Sequence, residues 1–213
     1  MSRSSAAANG GFFNGDSRVI GMMTLGWTFV ALLFASVFNG VLVSHSLGGP
    51  WGIVGHLASA VAYQKLILAF FVLVPAMPSV LSLLALPKSL GVEDMVAPTL
   101  SRVSLASFIA GLVLVGASLL PGAGIAGWTM TLTPAPASAL SMGLLWIGVA
   151  FATLSGFTTG FNILITIHAW HRDGRSFGDM PVLAWALYLS GLQLVLAAVC
   201  VSVALFSLAA TYS

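Results

Sequence analysis

The sequence predicts an all-α integral membrane protein with five transmembrane helices. Its 213 residues are 59% apolar and only 6% charged, and the mean hydropathy is +1.06. A soluble domain carries roughly 25% charged residues, so this chain cannot cover a water-exposed surface. Its seven basic and five acidic side chains, with a net charge of +2, are also too few for a nucleic-acid-binding face. The single cysteine, Cys200, permits no internal disulfide.

Five apolar stretches are long enough to span a membrane. A helix crosses ~30 Å of hydrocarbon with about 20 residues, and in lipid its backbone polar groups must be paired within the segment. We predict the spans at residues 19–43, 66–86, 103–120, 140–167 and 182–210. Residues 1–18, rich in Ser, Ala and Gly, are predicted to be a disordered cytoplasmic segment. Residues 211–213 are predicted to be a short outer tail.

The basic residues predict the orientation. Apart from Lys65 at the rim of the second span, the connections 44–64 and 121–139 are free of basic residues. The N-terminal segment and the other two connections carry Arg3, Arg18, Lys88, Arg102, Arg172 and Arg175. Because basic residues are retained on the cytoplasmic side, we predict a cytoplasmic N-terminus and an outer C-terminus.

The second span and the loop after it contain a distinctive spacing of prolines and polar residues. The run 62–102 includes, in order, Pro75, Pro78, Pro87, Gly91, Asp94, Met95 and Pro98. This order resembles the second transmembrane helix and following loop of subunit I of the haem-copper respiratory oxidases, the cytochrome c and quinol oxidases. Four further segments match family anchors in the same order: Asp16–Gly21, Gly122–Thr129, Phe161–Ile167 and Met180–Trp185. The resemblance implies helices one to five of that subunit, in the cytoplasmic membrane of a bacterium or archaeon.

The departures from the family pattern fall on cofactor contacts. Registered on Pro87 and Asp94, the family's haem-ligating histidine falls on Lys65, and its haem-side arginine falls on Phe34. The copper ligands and remaining haem ligands of the family lie on helices beyond the fifth. The resemblance therefore implies a degenerate relative without haem or copper ligands, and it places haem and copper in partner subunits.

Lys65 has two explanations besides iron ligation. Its aliphatic stem can carry the ammonium to the outer headgroups, or it can contact another subunit. Iron ligation would require lysine to lose its proton. His45 and His56 are interpreted as interfacial residues of the outer side, because His56 is ~13 Å from Lys65 along a helix.

His168 and His171 are spaced i and i+3, so they share one helix face. Such a pair can bind a metal, and it is a weak candidate here because only Asp173 lies nearby as a further ligand. Matching of the helix dipole at the end of the fourth span is the simpler explanation.

Asp94 matches the aspartate that opens a proton-uptake channel in the family. The resemblance implies a remnant of that path, since the matching helix-six glutamate has no counterpart here. An aspartate in a turn, near the start of the third span, also has a purely structural explanation.

Polar and small residues of the fourth span predict helix packing. Gly156 and Gly160 form a G-x-x-x-G pattern that permits close helix approach, and Asn162 can donate across helices. Asn39 and Gln193 are similar candidates for interhelical hydrogen bonds.

The resulting hypothesis is a non-redox structural subunit of a respiratory electron-transfer complex, a cytochrome oxidase, that contacts other membrane subunits and lipid. No enzymatic activity is expected from this chain alone. The first alternative is the N-terminal half of a split catalytic subunit I that binds haem together with a partner chain. The second is a stand-alone transporter or assembly factor, which the absence of Asp and Glu from the predicted spans disfavours.

Overall fold

The computed structural model describes residues 17–46, 57–119, 125–126, 131–132 and 139–212. Five helical stretches in it are long and apolar enough to cross a membrane: Ser17–Gly40, Val61–Leu90, Pro98–Ala117, Leu140–Arg172 and Val182–Ser207. The predicted five-helix membrane fold is confirmed.

The helices follow the chain in order. They are α1 (Ser17–Ser46), α2 (Leu57–Ile67), α3 (Ala76–Leu90), α4 (Pro98–Ala117), α5 (Ala139–Arg172) and α6 (Val182–Tyr212). Two short strands, β1 (Ile125–Ala126) and β2 (Thr131–Leu132), pair antiparallel between α4 and α5.

The second span is helical, as predicted, but it contains an interruption that the sequence analysis did not locate. A π-helical turn, Leu68–Leu73, joins α2 to α3, and the Val74 amide bonds the Ala69 carbonyl five residues earlier at 3.1 Å. Pro75 lacks an amide hydrogen, and its ring would clash with a carbonyl of the preceding α-helical turn. The wider turn removes this conflict.

Helix ends differ from the predicted bounds for local reasons. The second span starts within a helix that begins at Leu57 rather than at residue 66, so Lys65 lies inside it. α4 begins at Pro98, because proline is favoured in the first helical turn. α1 already includes Ser17 and Arg18, and α6 continues to Tyr212. The rest of the predicted N-terminal segment, residues 1–16, lies outside the described residues.

α5 lies at the centre of the packing, between α4 and α6, and α1 packs on α2 and α3. One apolar cluster surrounds Phe71, Phe108 and Leu145. A second surrounds Leu86 and Ile163. The bundle end at which α1, α4 and α6 begin and α3 and α5 end is called the Asp94 end below, after the loop that joins α3 to α4.

Candidate functional site

The Asp94 carboxylate accepts a hydrogen bond from the first residue of α1. One carboxylate oxygen, Oδ2, accepts a 3.4 Å hydrogen bond from the Ser17 amide, and Oδ1 accepts one of 2.7 Å from the Met95 amide. The Met95 amide also lies 3.4 Å from Ser17 Oγ. Backbone amides at a helix start have no partner within the helix and attract negative charge. Asp94 therefore acts as a cap for α1 supplied by a residue distant in the chain.

A column of hydroxyl and amide groups leads from this loop into the bundle. The Val96 amide donates to Thr166 Oγ1 at 3.3 Å, and Thr166 Oγ1 donates to the Asn162 carbonyl at 2.8 Å. Asn162 Nδ2 in turn donates to Ser101 Oγ at 2.9 Å. The buried Oδ1 of Asn162 has no hydrogen-bond partner in the described structure, so the column contains one open acceptor.

Ser104 continues the column deeper in the bundle. Its Oγ lies 3.1 Å from the carbonyl and 3.1 Å from the hydroxyl of Ser155, and 2.7 Å from Thr159 Oγ1. From Thr166 to Ser155 the column covers ~16 Å at 1.5 Å per residue. Its described members are neutral, so it can bind water or join helices, and it offers no acid or base for proton abstraction.

Glycine contacts bring helix backbones together on both sides of α5. A Cβ built on Gly160 would lie 2.7 Å from the Gly191 carbonyl oxygen of α6, and one on Gly111 of α4 would lie 2.8 Å from the Gly148 oxygen. Both distances are shorter than any normal contact. Gly156 forms the G-x-x-x-G pattern with Gly160, but a Cβ built on Gly156 would make only ordinary contacts, of 3.6 Å or more.

The sequence analysis missed Gly111, Gly148 and Gly191. None of them belongs to a G-x-x-x-G pattern within its own helix. Each lies instead against a glycine of another helix. The one available signal was the presence of glycine inside an apolar span, where it lowers helix propensity unless packing compensates.

Lys65 is exposed on the outside of the described bundle, whereas its neighbours Tyr63, Leu66 and Ile67 are buried. A protonated ammonium has no lone pair for iron, and the exposed position is compatible with a stem that reaches the headgroups or contacts another subunit. Phe34, at the position matching the haem-side arginine, packs edge-on against Phe38 with ring centroids 5.5 Å apart. Lys65 therefore does not fit the role of a haem ligand, and Phe34 does not fit the role of a charged group beside the haem.

His168 and His171 pack on Phe177, with ring centroids 6.2 Å and 4.2 Å away. Nδ1 of His168 lies 2.8 Å from the Leu164 carbonyl oxygen, and Nδ1 of His171 lies 2.6 Å from that of Arg175. Within the described residues no group of three His, Cys, Asp or Glu side chains is close enough to hold a metal. The side chains of His45 and His56 lie outside the described part of the chain.

A pocket of about 480 Å³ opens beside the capped start of α1. Its lining includes two cations, Arg18 and Lys88, and two carboxylates, Glu93 and Asp94. The charges cancel, so this pocket has no electrostatic preference for an anionic ligand.

A known protein family matches this chain. The family model described as cytochrome c and quinol oxidase polypeptide I matches residues 19–213. The match spans all five membrane-crossing helices, together with the Asp94 loop and the polar column. The chain therefore belongs to the family of polypeptide I of the cytochrome c and quinol oxidases.

Proposed function

We propose that this chain is a non-redox structural subunit of a respiratory electron-transfer complex, a cytochrome oxidase. Family membership supports a role related to oxidase subunit I inside a multi-subunit membrane complex. The observation that carries the finer proposal is the bundle interior. Among the described residues, the buried side chains that carry polar groups are Ser, Thr and Asn together with the Tyr63 hydroxyl and the Trp170 indole, and none is a carboxylate, a lysine, an arginine or a histidine.

Such an interior is suited to rigid packing. The glycine contacts on both sides of α5 and the hydrogen bonds of Ser104 join α4, α5 and α6 without any charged group. In lipid, helix association depends on close packing and interhelical hydrogen bonds rather than on the hydrophobic effect. The bundle thus supplies a preformed surface for partner helices and lipid, and haem and copper belong to the partner subunits.

We also propose that the Asp94 end faces the cytoplasm of a bacterium or archaeon. Arg18, Lys88, Arg102, Arg172 and Arg175 belong to the loops and helix ends of this side of the bundle, as the positive-inside rule requires. A single cysteine placed at Ser176, in a Cys200→Ser background, should react with an impermeant maleimide only after the membrane is opened.

One observation favours the split catalytic subunit as a second candidate. The column of polar groups begins at the loop of Asp94, where the Val96 amide bonds Thr166, and this loop matches the mouth of the family's proton-uptake channel. In this alternative a partner chain would supply the haem ligands and the proton acceptor beyond the column.

The haem content of the purified complex distinguishes the two functions. Complexes isolated with and without this chain should show the same haem-to-protein ratio in the remaining subunits and an intact low-spin absorption band. Lys65→Leu in the complete complex should leave both unchanged. Loss of the low-spin band, in either experiment, would reject the structural role and support the split subunit.

A further inference from the structure

The outward face of α6 carries a polar group that the bundle does not satisfy. Gln193 is exposed, and its amide makes no hydrogen bond to any part of the chain that the structure describes. It lies ~17 Å from Val182 and ~21 Å from Ser207 at 1.5 Å per residue, near the middle of that span. Hydrocarbon offers no partner to an amide at this depth.

Gln193 belongs to a regular seam on the outward face of α6. Positions spaced alternately by four and three are all exposed: Leu189, Gln193, Leu196, Cys200, Val203 and Ser207. This spacing of 3.5 residues is that of a helix that packs along a second helix. The opposite face of α6, with Gly191 and Leu194, is already buried against α5. Only 17% of the α6 span is buried, compared with 33–50% for the other four.

We propose that the α6 seam binds the α6 seam of a second copy of this chain, with the two Gln193 amides hydrogen-bonded to each other. Two copies inserted in the same direction can be related by a two-fold axis along the membrane normal. That axis places the same residue of both copies at the same depth. An amide both donates and accepts, so Gln193 is its own complement. The proposal holds for either function considered above.

Cys200 reports on this contact. It is exposed and is the only cysteine in the chain, and it lies seven residues after Gln193, on the same line along the helix. In the proposed dimer, the two Cys200 side chains face each other next to the axis. Oxidation with copper phenanthroline and oxygen would join them as a disulfide.

The experiment uses two differently tagged copies of the full chain, co-expressed in membranes and oxidised there. We expect a disulfide-linked product that carries both tags. The matched control is Cys200→Ser with Ser202→Cys, because residue 202 is exposed at nearly the same depth but roughly 160° around the helix. It should give clearly less product. Gln193→Leu should lower association roughly tenfold, and Gln193→Asn should restore most of it.

The monomer fold provides the check on these variants. Because Gln193 is exposed, Gln193→Leu should leave the thermal unfolding midpoint of the detergent-solubilised monomer unchanged. Equal cross-linking from positions 200 and 202, or an unchanged yield with Gln193→Leu, would overturn the proposal. So would cross-linking of Cys200 to a different chain, or its absence from all products, which would indicate a partner subunit or lipid on this face.

Discussion

Trp170 and Leu90 join the ends of two helices at the Asp94 end. The indole Nε1 of Trp170 donates a 3.0 Å hydrogen bond to the backbone carbonyl of Leu90, the last residue of α3. Arg175 Nη1 donates to the same oxygen at 2.9 Å, and its guanidinium carbon lies 5.5 Å from the Trp170 ring centroid. Carbonyls at a helix C-terminus have no partner within the helix, so this pair stabilises the α3 end and fixes the loop that contains Asp94.

Trp170→Phe should lower the free energy of unfolding by about 0.5–1.5 kcal/mol, the net value of one hydrogen bond. Arg175 keeps the Leu90 carbonyl paired, which limits the loss. Equilibrium unfolding in mixed detergent micelles would measure it. Trp185→Phe is the control, because Trp185 is exposed and should change the value little. Equal effects of the two substitutions would contradict the assigned bond.

Gly160→Ala should destabilise the α5–α6 contact by about 1–3 kcal/mol, the usual cost of overpacking. The new methyl group would lie 2.7 Å from the Gly191 carbonyl oxygen, and a backbone atom cannot move aside cheaply. Gly143→Ala is the matched control, because Gly143 lies in the same helix and a Cβ there would meet nothing within 4 Å. The control gains helix propensity, so its thermal midpoint should stay or rise while that of Gly160→Ala falls.

Ser104→Ala should cost roughly 1 kcal/mol, within the range measured for interhelical hydrogen bonds in membranes. It removes the hydroxyl that lies within hydrogen-bond distance of both Ser155 and Thr159. Ser36→Ala is the control, because the exposed Ser36 hydroxyl bonds only its own helix, at the Leu32 carbonyl. Steric trapping in micelles can resolve the difference. A Ser104 variant as stable as the control would show that the column does not hold α4 to α5.

Gly91→Ala should lower stability by about 1–2 kcal/mol, the cost of a left-handed backbone for a residue with a side chain. Gly91 ends α3 with φ of +68°, and the Val92 amide then bonds the Pro87 carbonyl at 2.9 Å. Gly178→Ala, at an exposed glycine without a positive φ, should have almost no effect. Hydrogen exchange of the loop amides 92–97 provides the readout, and exchange at the wild-type rate in Gly91→Ala would contradict the prediction.

The candidate site could be predicted only in part. Asp94 and Asn162 were visible as motif residues, but the contacts of Asp94 with the start of α1 and of Asn162 with Ser101 join residues more than 60 positions apart. Gly160 was visible through its G-x-x-x-G spacing, but its partner Gly191 and the pair Gly111–Gly148 were not, because none of these three glycines has that spacing within its own helix. Gln193 was expected to be a candidate for an interhelical bond, and the structure places it on the outer face instead.

The sequence by itself determined the five membrane spans and the family, because hydrocarbon thickness requires about 20 apolar residues per helix and the short family anchors occur in order along the chain. Only the tertiary structure decided which face of each helix is buried. Hydropathy is nearly uniform around these helices, since lipid accepts the same side chains as a protein interior. The direction of Lys65, the closeness of Gly160 to Gly191 and the outward position of Gln193 therefore follow from how the helices pack against one another.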